Sequence, residues 1–168
     1  MHVKGFLHKI LSSAIHNSRL KALSEVVSAA IRTKRLTLTA LGRSINLPIQ
    51  ERSGIQKVNR IFGNEKLLVD YQIISKKISE TLIKNKKHPI IIVDWTKYPN
   101  SNDAVLRAAI EISGRAMTLY EERHREKSIG NRGVQTRFLI NLKNALPGSC
   151  IPIIVTDAGF HNPWFKQI

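Results

Sequence analysis

The chain has 168 residues, 42% of them hydrophobic, with 27 lysines and arginines against 12 acids and a formal net charge of +15. That apolar content supports a packed core and excludes wholesale disorder, and the length suits one ordinary domain or two small ones. The basic excess points to a polyanionic partner, while the single Cys150 excludes a disulfide framework and a thiolate metal cluster.

The charge is unevenly spread. Residues 1–87 hold 17 lysines and arginines against 5 acids, and residues 88–168 hold 10 against 7. The electrostatic footprint is therefore mainly N-terminal, and nucleic acid is the expected partner. No run approaches the ~18 apolar residues of a membrane span, and the first ten residues lack a signal-peptide pattern. A reducing, cytoplasmic setting is expected.

Residues 6–34 have helical periodicity. Phe6, Ile10 and Leu11 make one apolar stripe; Leu20, Leu23, Val26, Val27, Ala30 and Ile31 make another. Thr37 is placed to cap a short helix that carries Leu38, Leu41 and Ile45 inward, with Pro48 as its stop. Glu51 to Phe62 reads as a further helix with Ile55, Val58, Ile61 and Phe62 facing in and Arg52, Lys57 and Arg60 facing out. Gly63-Asn64 ends it. A long helix, a short one and a third with a basic outer face suggest a helix-turn-helix-like module, whose last helix would enter the major groove. A plain helical bundle with a solvated basic face is the competing reading. Arg43, Arg52, Lys57 and Arg60 are the candidate DNA-binding residues. Asp70 to Lys87 continues as a helix, and the basic run Lys84-Asn-Lys-Lys87 before Pro89 sets the expected domain boundary.

From residue 88 the period changes. Ile90 to Val93 is a short β-branched run that predicts a strand buried on both faces, with Asp94 at its C-terminal end. The same design recurs from Ile151 to Asp157. Between them, Ala104–Ser113 and Arg115–Glu121 read as strands meeting at Gly114, residues 122–132 as a charged loop, and Gly133–Ala145 as an amphipathic helix stopped by Pro147-Gly148. The expected order is β-β-β-α-β, with an acid after the first and fourth strands.

Two carboxylates at adjacent strand ends suit Mg²⁺ or Mn²⁺, which take hard oxygen ligands. A pair of such ions about 4 Å apart activates the attacking oxygen and steadies the leaving one in phosphoryl transfer. Asp94 and Asp157 are thus the candidate catalytic and metal-binding residues. Either one alone reads equally well as a turn starter. Arg107, Arg115 and Arg132 are candidates for phosphate contacts. His124 and His161 read as solvated side chains, and no Ser/His/Asp or Cys/His arrangement stands out.

Several stretches carry a family likeness: Ile92-Val-Asp-Trp95, Val105-Leu-Arg-Ala108, Gly114-Arg-x-x-Thr-Leu-Tyr-Glu121, Pro152-Ile-Ile-Val-Thr-Asp-Ala-Gly-Phe160 and Pro163-Trp164. Together with Leu36-Thr-Leu-Thr-x-Leu-Gly-Arg43, they resemble the transposases of bacterial insertion sequences, the IS-four family. The resemblance covers most of the chain. It implies an α/β (overall α+β) protein: a helical DNA-binding region over 1–87, then the first part of an RNase H-like mixed sheet over 88–168. It also implies a DDE triad of metal-binding acids, with Asp94 matching the first and Asp157 the second. The implied cofactor is Mg²⁺ or Mn²⁺. The implied partners are double-stranded DNA, both the element's inverted repeats and its target, and a second copy of the protein on that DNA. The implied place is the bacterial nucleoid. In the family reaction, water and then a DNA 3′-hydroxyl attack phosphodiesters in cut-and-paste transfer.

One departure matters. The family's third acid is a Glu in a Tyr-x₂-Arg-x₃-Glu-x₆-Lys signature beyond the second Asp, and only eleven residues follow Asp157. Tyr120-x-x-Arg123 imitates its start but has Lys127 where the Glu would stand. The isolated chain is therefore expected not to cleave DNA. Three readings follow: a transposase fragment with a split triad, an inactive fragment that still occupies element ends, and a nuclease using Asp94 and Asp157 alone.

Overall fold

The structure is a computed structural model that describes residues 3–46, 48–157 and 160. Its described residues form six helices and a four-stranded mixed sheet. None of these helices is long and apolar enough to cross a membrane. The chain divides into two compact units, Met1–Ile74 and Ser75–Ile168.

The first unit starts with α1 (Val3–Leu11) and α2 (Asn17–Thr33), two helices where the periodicity had suggested one region. The break falls at residues 12–16, and His16 caps the second helix by accepting the Ser18 amide. Leu11, Ile15 and Leu20 form one buried cluster, joined by Leu7, Leu23 and Ile74. Beside it, Arg19 grips the buried Asp70 with two hydrogen bonds of 2.5 and 3.1 Å. That contact raises the Arg19 pKa above its ordinary value.

Thr37 caps α3 (Leu38–Arg43) as expected, its hydroxyl accepting the Ala40 amide at 3.2 Å. Leu41 and Ile45 are buried, but Leu38 is exposed, and the helix ends before Ser44 rather than at Pro48. The helix α4 (Glu51–Phe62) has the expected bounds and ends at Gly63. It packs Val58 with Val26, Ala29, Leu41 and Ile45 into a second cluster. Phe62, expected inside, is exposed. The helix α5 (Glu65–Ile83) contains the divide between the units, which thus falls earlier than Lys87. Its later part buries Ser75, Ser79 and Ile83 at four-residue spacing, the repeat of one helical face.

The second unit has strands β1 (Ile90–Lys97), β2 (Asp103–Ile112), β3 (Arg115–Arg125) and β4 (Ile153–Thr156), with α6 (Arg132–Ala145) between the last two. The order across the sheet is β3-β2-β1-β4, with β1 parallel to β4 and the other pairs antiparallel. The β2–β3 hairpin turns at Ser113 (φ 53°) and Gly114 (φ 76°), two left-handed residues that match the twist of a tight hairpin. The segment expected to be a loop from residue 122 is strand as far as Arg125, because β2 supplies partners down to Asp103↔Arg125. A 3-10 turn, Glu126–Ser128, follows.

The two faces of β1 differ in burial. Ile91 and Val93 are fully buried on the face that also carries Tyr120, whose ring lies 5.5 Å from Phe138 of α6. Ile90, Ile92, Ile153 and Val155 on the opposite face are 44–57% exposed. The strand β1, predicted as buried on both faces, is buried on one, although Val105 and Ala109 of β2 on its exposed side are buried.

Candidate functional site: an aspartate pair and a basic helix

The parallel ladder between β1 and β4 pairs Ile90 with Ile153 and continues residue by residue to Val93 with Thr156. Asp94 and Asp157 are the next residues after the last pair of this ladder. Neighbouring strands lie about 4.8 Å apart, so the two backbones bring the carboxylates to adjacent positions. Alternation puts both on the exposed face, in line with Ile92 and Val155. Asp94 is not the last residue of its strand, as its sequence context suggested. β1 runs on to Lys97 along β2, while β4 stops at Thr156. The pair stands where the parallel ladder ends, which is where open sheets expose their chemistry. Asp94 Oδ1 accepts the Trp95 amide at 2.8 Å, and the Asp157 carbonyl accepts the Phe160 amide at 3.3 Å.

The same row continues across the sheet. Arg107 of β2 is the register partner of Asp94, and Glu121 of β3 is the partner of Arg107. Arg107 donates to Glu121 at 2.9 Å, with both side chains about 40% exposed. Asp157, Asp94, Arg107 and Glu121 thus form one line of charge on one face. Arg115 pairs with Ile112 at the hairpin end, roughly 17 Å along the strand from this row. Arg132 begins α6. Of the three arginines considered for phosphate contacts, the register brings only Arg107 beside the aspartates.

Two hard carboxylates on adjacent strands fit part of a divalent-cation site. A two-ion site calls for more ligands, and among the described residues no third His, Cys, Asp or Glu joins them. Glu121 is separated from Asp94 by Arg107, which holds it. His124 is not solvated in a loop. It lies on β3 with its ring edge-on to Trp95 at 5.7 Å and Nε2 2.9 Å from Glu122. Glu122 also accepts from Tyr120 and Asn141, so this polar group ties the sheet to α6. Burial raises the Cys150 thiol pKa, which argues against a reactive thiolate. His161 and the Pro163-Trp164 pair lie outside the described residues.

In the N-terminal unit the four candidate DNA-binding residues fare differently. Arg52 and Arg60 are exposed. Arg43 pairs with Glu51 at 2.6 Å on the surface. Lys57, expected to face out, is turned inward and lies 2.5 Å from the buried carboxylate of Glu25. Glu25 lies 32 positions from Lys57, on α2, so local sequence does not show the pair. Gln56 and Asn59, which no charge or motif had marked, are exposed on α4 beside the two arginines. Their spacing from Arg52 and Arg60 was the available signal.

No protein-family model, curated protein or solved structure matches the chain. The chain is thus described by its own mixed α/β architecture and by these two groups of residues, a carboxylate pair on the sheet and an exposed polar face on α4.

Proposed function

We propose that the chain is part of a DNA transposase of the IS-four type, in which the N-terminal helices hold the element's ends and the sheet carries the first two acids of an RNase H-like site. The single observation that supports this reading is the parallel pairing of β1 with β4, whose last pair, Val93 and Thr156, immediately precedes Asp94 and Asp157. Mg²⁺ or Mn²⁺ bound there would supply the Lewis acid for attack of water or a 3′-hydroxyl on a phosphodiester. Asp94 and Asp157 would hold the ion, and Arg107, next in the row, would face the phosphate. The surplus of positive charge in residues 3–74 supports the DNA-binding half. Three of its four acids, Glu25, Glu51 and Asp70, already face a basic partner, which leaves most of its lysines and arginines for phosphates.

A second reading is that the chain binds DNA without cutting it. Both readings meet one set of measurements. Paramagnetic relaxation of water by Mn²⁺ should report weak binding that either Asp94→Asn or Asp157→Asn removes. Persistence of the signal in both variants would show that the two do not share an ion. A labelled duplex incubated with the chain and Mg²⁺ or Mn²⁺ should stay intact. Nicks that vanish in Asp94→Ala would show a working site and remove the second reading. Duplex affinity should fall steeply with salt, as phosphate contacts release counterions. Lack of affinity at low salt would sink both readings.

A further inference from the structure

The crossing of α3 and α4 fixes which side of α4 faces outward. A Cβ on Gly42 would lie 2.5 Å from the Ile55 Cα, and one on Gly54 would lie 2.5 Å from the Gly42 carbonyl oxygen. The two backbones therefore touch, and α4 has no freedom to roll about its axis. Gly54 and Val58 are buried in this crossing, and Ile55 and Ile61 are half-buried. At 3.6 residues per turn, the positions opposite Gly54 and Val58 are Arg52, Gln56 and Arg60, with Asn59 at the margin. All four are exposed, and their side chains make no hydrogen bond or ion pair among the described residues. Lys57 lies on the inner side, which is why Glu25 captures it. The one acid of α4, Glu51, is neutralised by Arg43.

This face combines two kinds of group. Arginines supply charge for a polyanion, but Gln56 and Asn59 add nothing electrostatic. Their carboxamides each offer a donor and an acceptor side by side, the pattern that matches N6 and N7 of adenine in the major groove. They stand three residues apart, about 4.5 Å along the helix axis. The rise per base pair is about 3.4 Å, so the two side chains reach neighbouring pairs. We infer that α4 reads DNA sequence directly, with Gln56 and Asn59 selecting adenine at adjacent positions and Arg52 and Arg60 holding guanine edges or flanking phosphates. This assigns specificity to two uncharged residues and rests on the DNA-binding half of the function proposed above.

The test uses the full chain and a pool of duplexes with a randomised central stretch, from which bound sequences are recovered and read. The expected consensus contains neighbouring A·T pairs, and replacing either by G·C should weaken binding on the order of tenfold or more. In Gln56→Ala the preference at one of these pairs should disappear, and in Asn59→Ala the preference at the other. Affinity for unrelated duplex should hardly change in either variant. Arg52→Ala and Arg60→Ala should instead lower affinity across the pool. Both exposed polar positions lie mid-helix, where Ala is favourable, and circular dichroism checks that the variants remain folded. A consensus that both variants retain would overturn the inference while leaving DNA binding intact, as would binding with no consensus at all. Failure of the parent chain to bind any duplex at low salt would remove the underlying reading and the inference with it.

Discussion

Lys57 and Asp103 show how a charged residue's role depends on its partner more than on its type. Lys57 Nζ is the ion partner of Glu25 Oε2, and that oxygen has no hydrogen bond among the described residues. Lys57→Ala would strand a buried carboxylate. It should lower stability by about 2 kcal/mol, read as a shift in urea midpoint, without reducing the salt dependence of DNA binding. A lysine that served phosphates instead would show the reverse pattern. Asp103, buried at the start of β2, is bonded by Arg123, Arg125 and Ser101. The Arg123 hydrogen bond is the largest cause holding its pKa below the ordinary 3.8. A carboxylate whose pKa is depressed on folding stabilises the protein at pH values above 3.8. That stabilisation is lost as the pH falls through the folded value. Asp103→Asn should therefore be less stable than the parent at neutral pH, and the gap should narrow below pH 4. Parallel acid-unfolding curves for parent and variant would contradict the assignment.

Among the elements, the α3–α4 pair depends most on what a residue lacks. Gly→Ala inside a helix gains about 1 kcal/mol from backbone entropy when nothing is in the way. At Gly54 the added carbon would meet the Gly42 carbonyl oxygen at 2.5 Å, backbone against backbone, so the helices must part. Overpacking of this kind costs about 1–3 kcal/mol and outweighs the gain. Gly54→Ala should lower the thermal midpoint, whereas Gly5→Ala in α1, with nothing within 4 Å, should raise it. Equal and positive shifts at both sites would mean that the crossing is looser than described. The same crossing sets the angle at which Gln56 and Asn59 leave the helix, so Gly54→Ala should also blur base preference.

For the whole molecule, the exposed side of β1 and β4 is the main liability. Ile90, Ile92, Ile153 and Val155 expose a continuous apolar strip on two paired strands. β4 has a sheet partner on one side only among the described residues. Unpaired edges and apolar patches promote association between chains. Sedimentation velocity should show concentration-dependent self-association of the chain without DNA. Ile153→Lys together with Val155→Lys should suppress it while leaving the far-ultraviolet dichroism unchanged. A parent chain that stays monomeric at high concentration would refute this.

Local sequence was enough to locate most elements. Thr37 marked a cap, Ser113-Gly114 a hairpin, and the spacing of Ile55, Val58 and Ile61 set the bounds of α4, because caps, turns and helical faces are decided within a few residues. The two aspartates were visible for the same reason, each following a β-branched run. Relations between distant segments were not visible. That Asp94 and Asp157 come at the end of one ladder, in line with Arg107 and Glu121, is a matter of strand order and register, set by pairings 13 to 63 positions apart. The capture of Lys57 by Glu25 and the rotation of α4 that exposes Gln56 and Asn59 come from helix packing. The one-sided burial of β1 likewise depends on which elements pack against it. Periodicity states that a residue faces some neighbour, but only the tertiary structure decides which one.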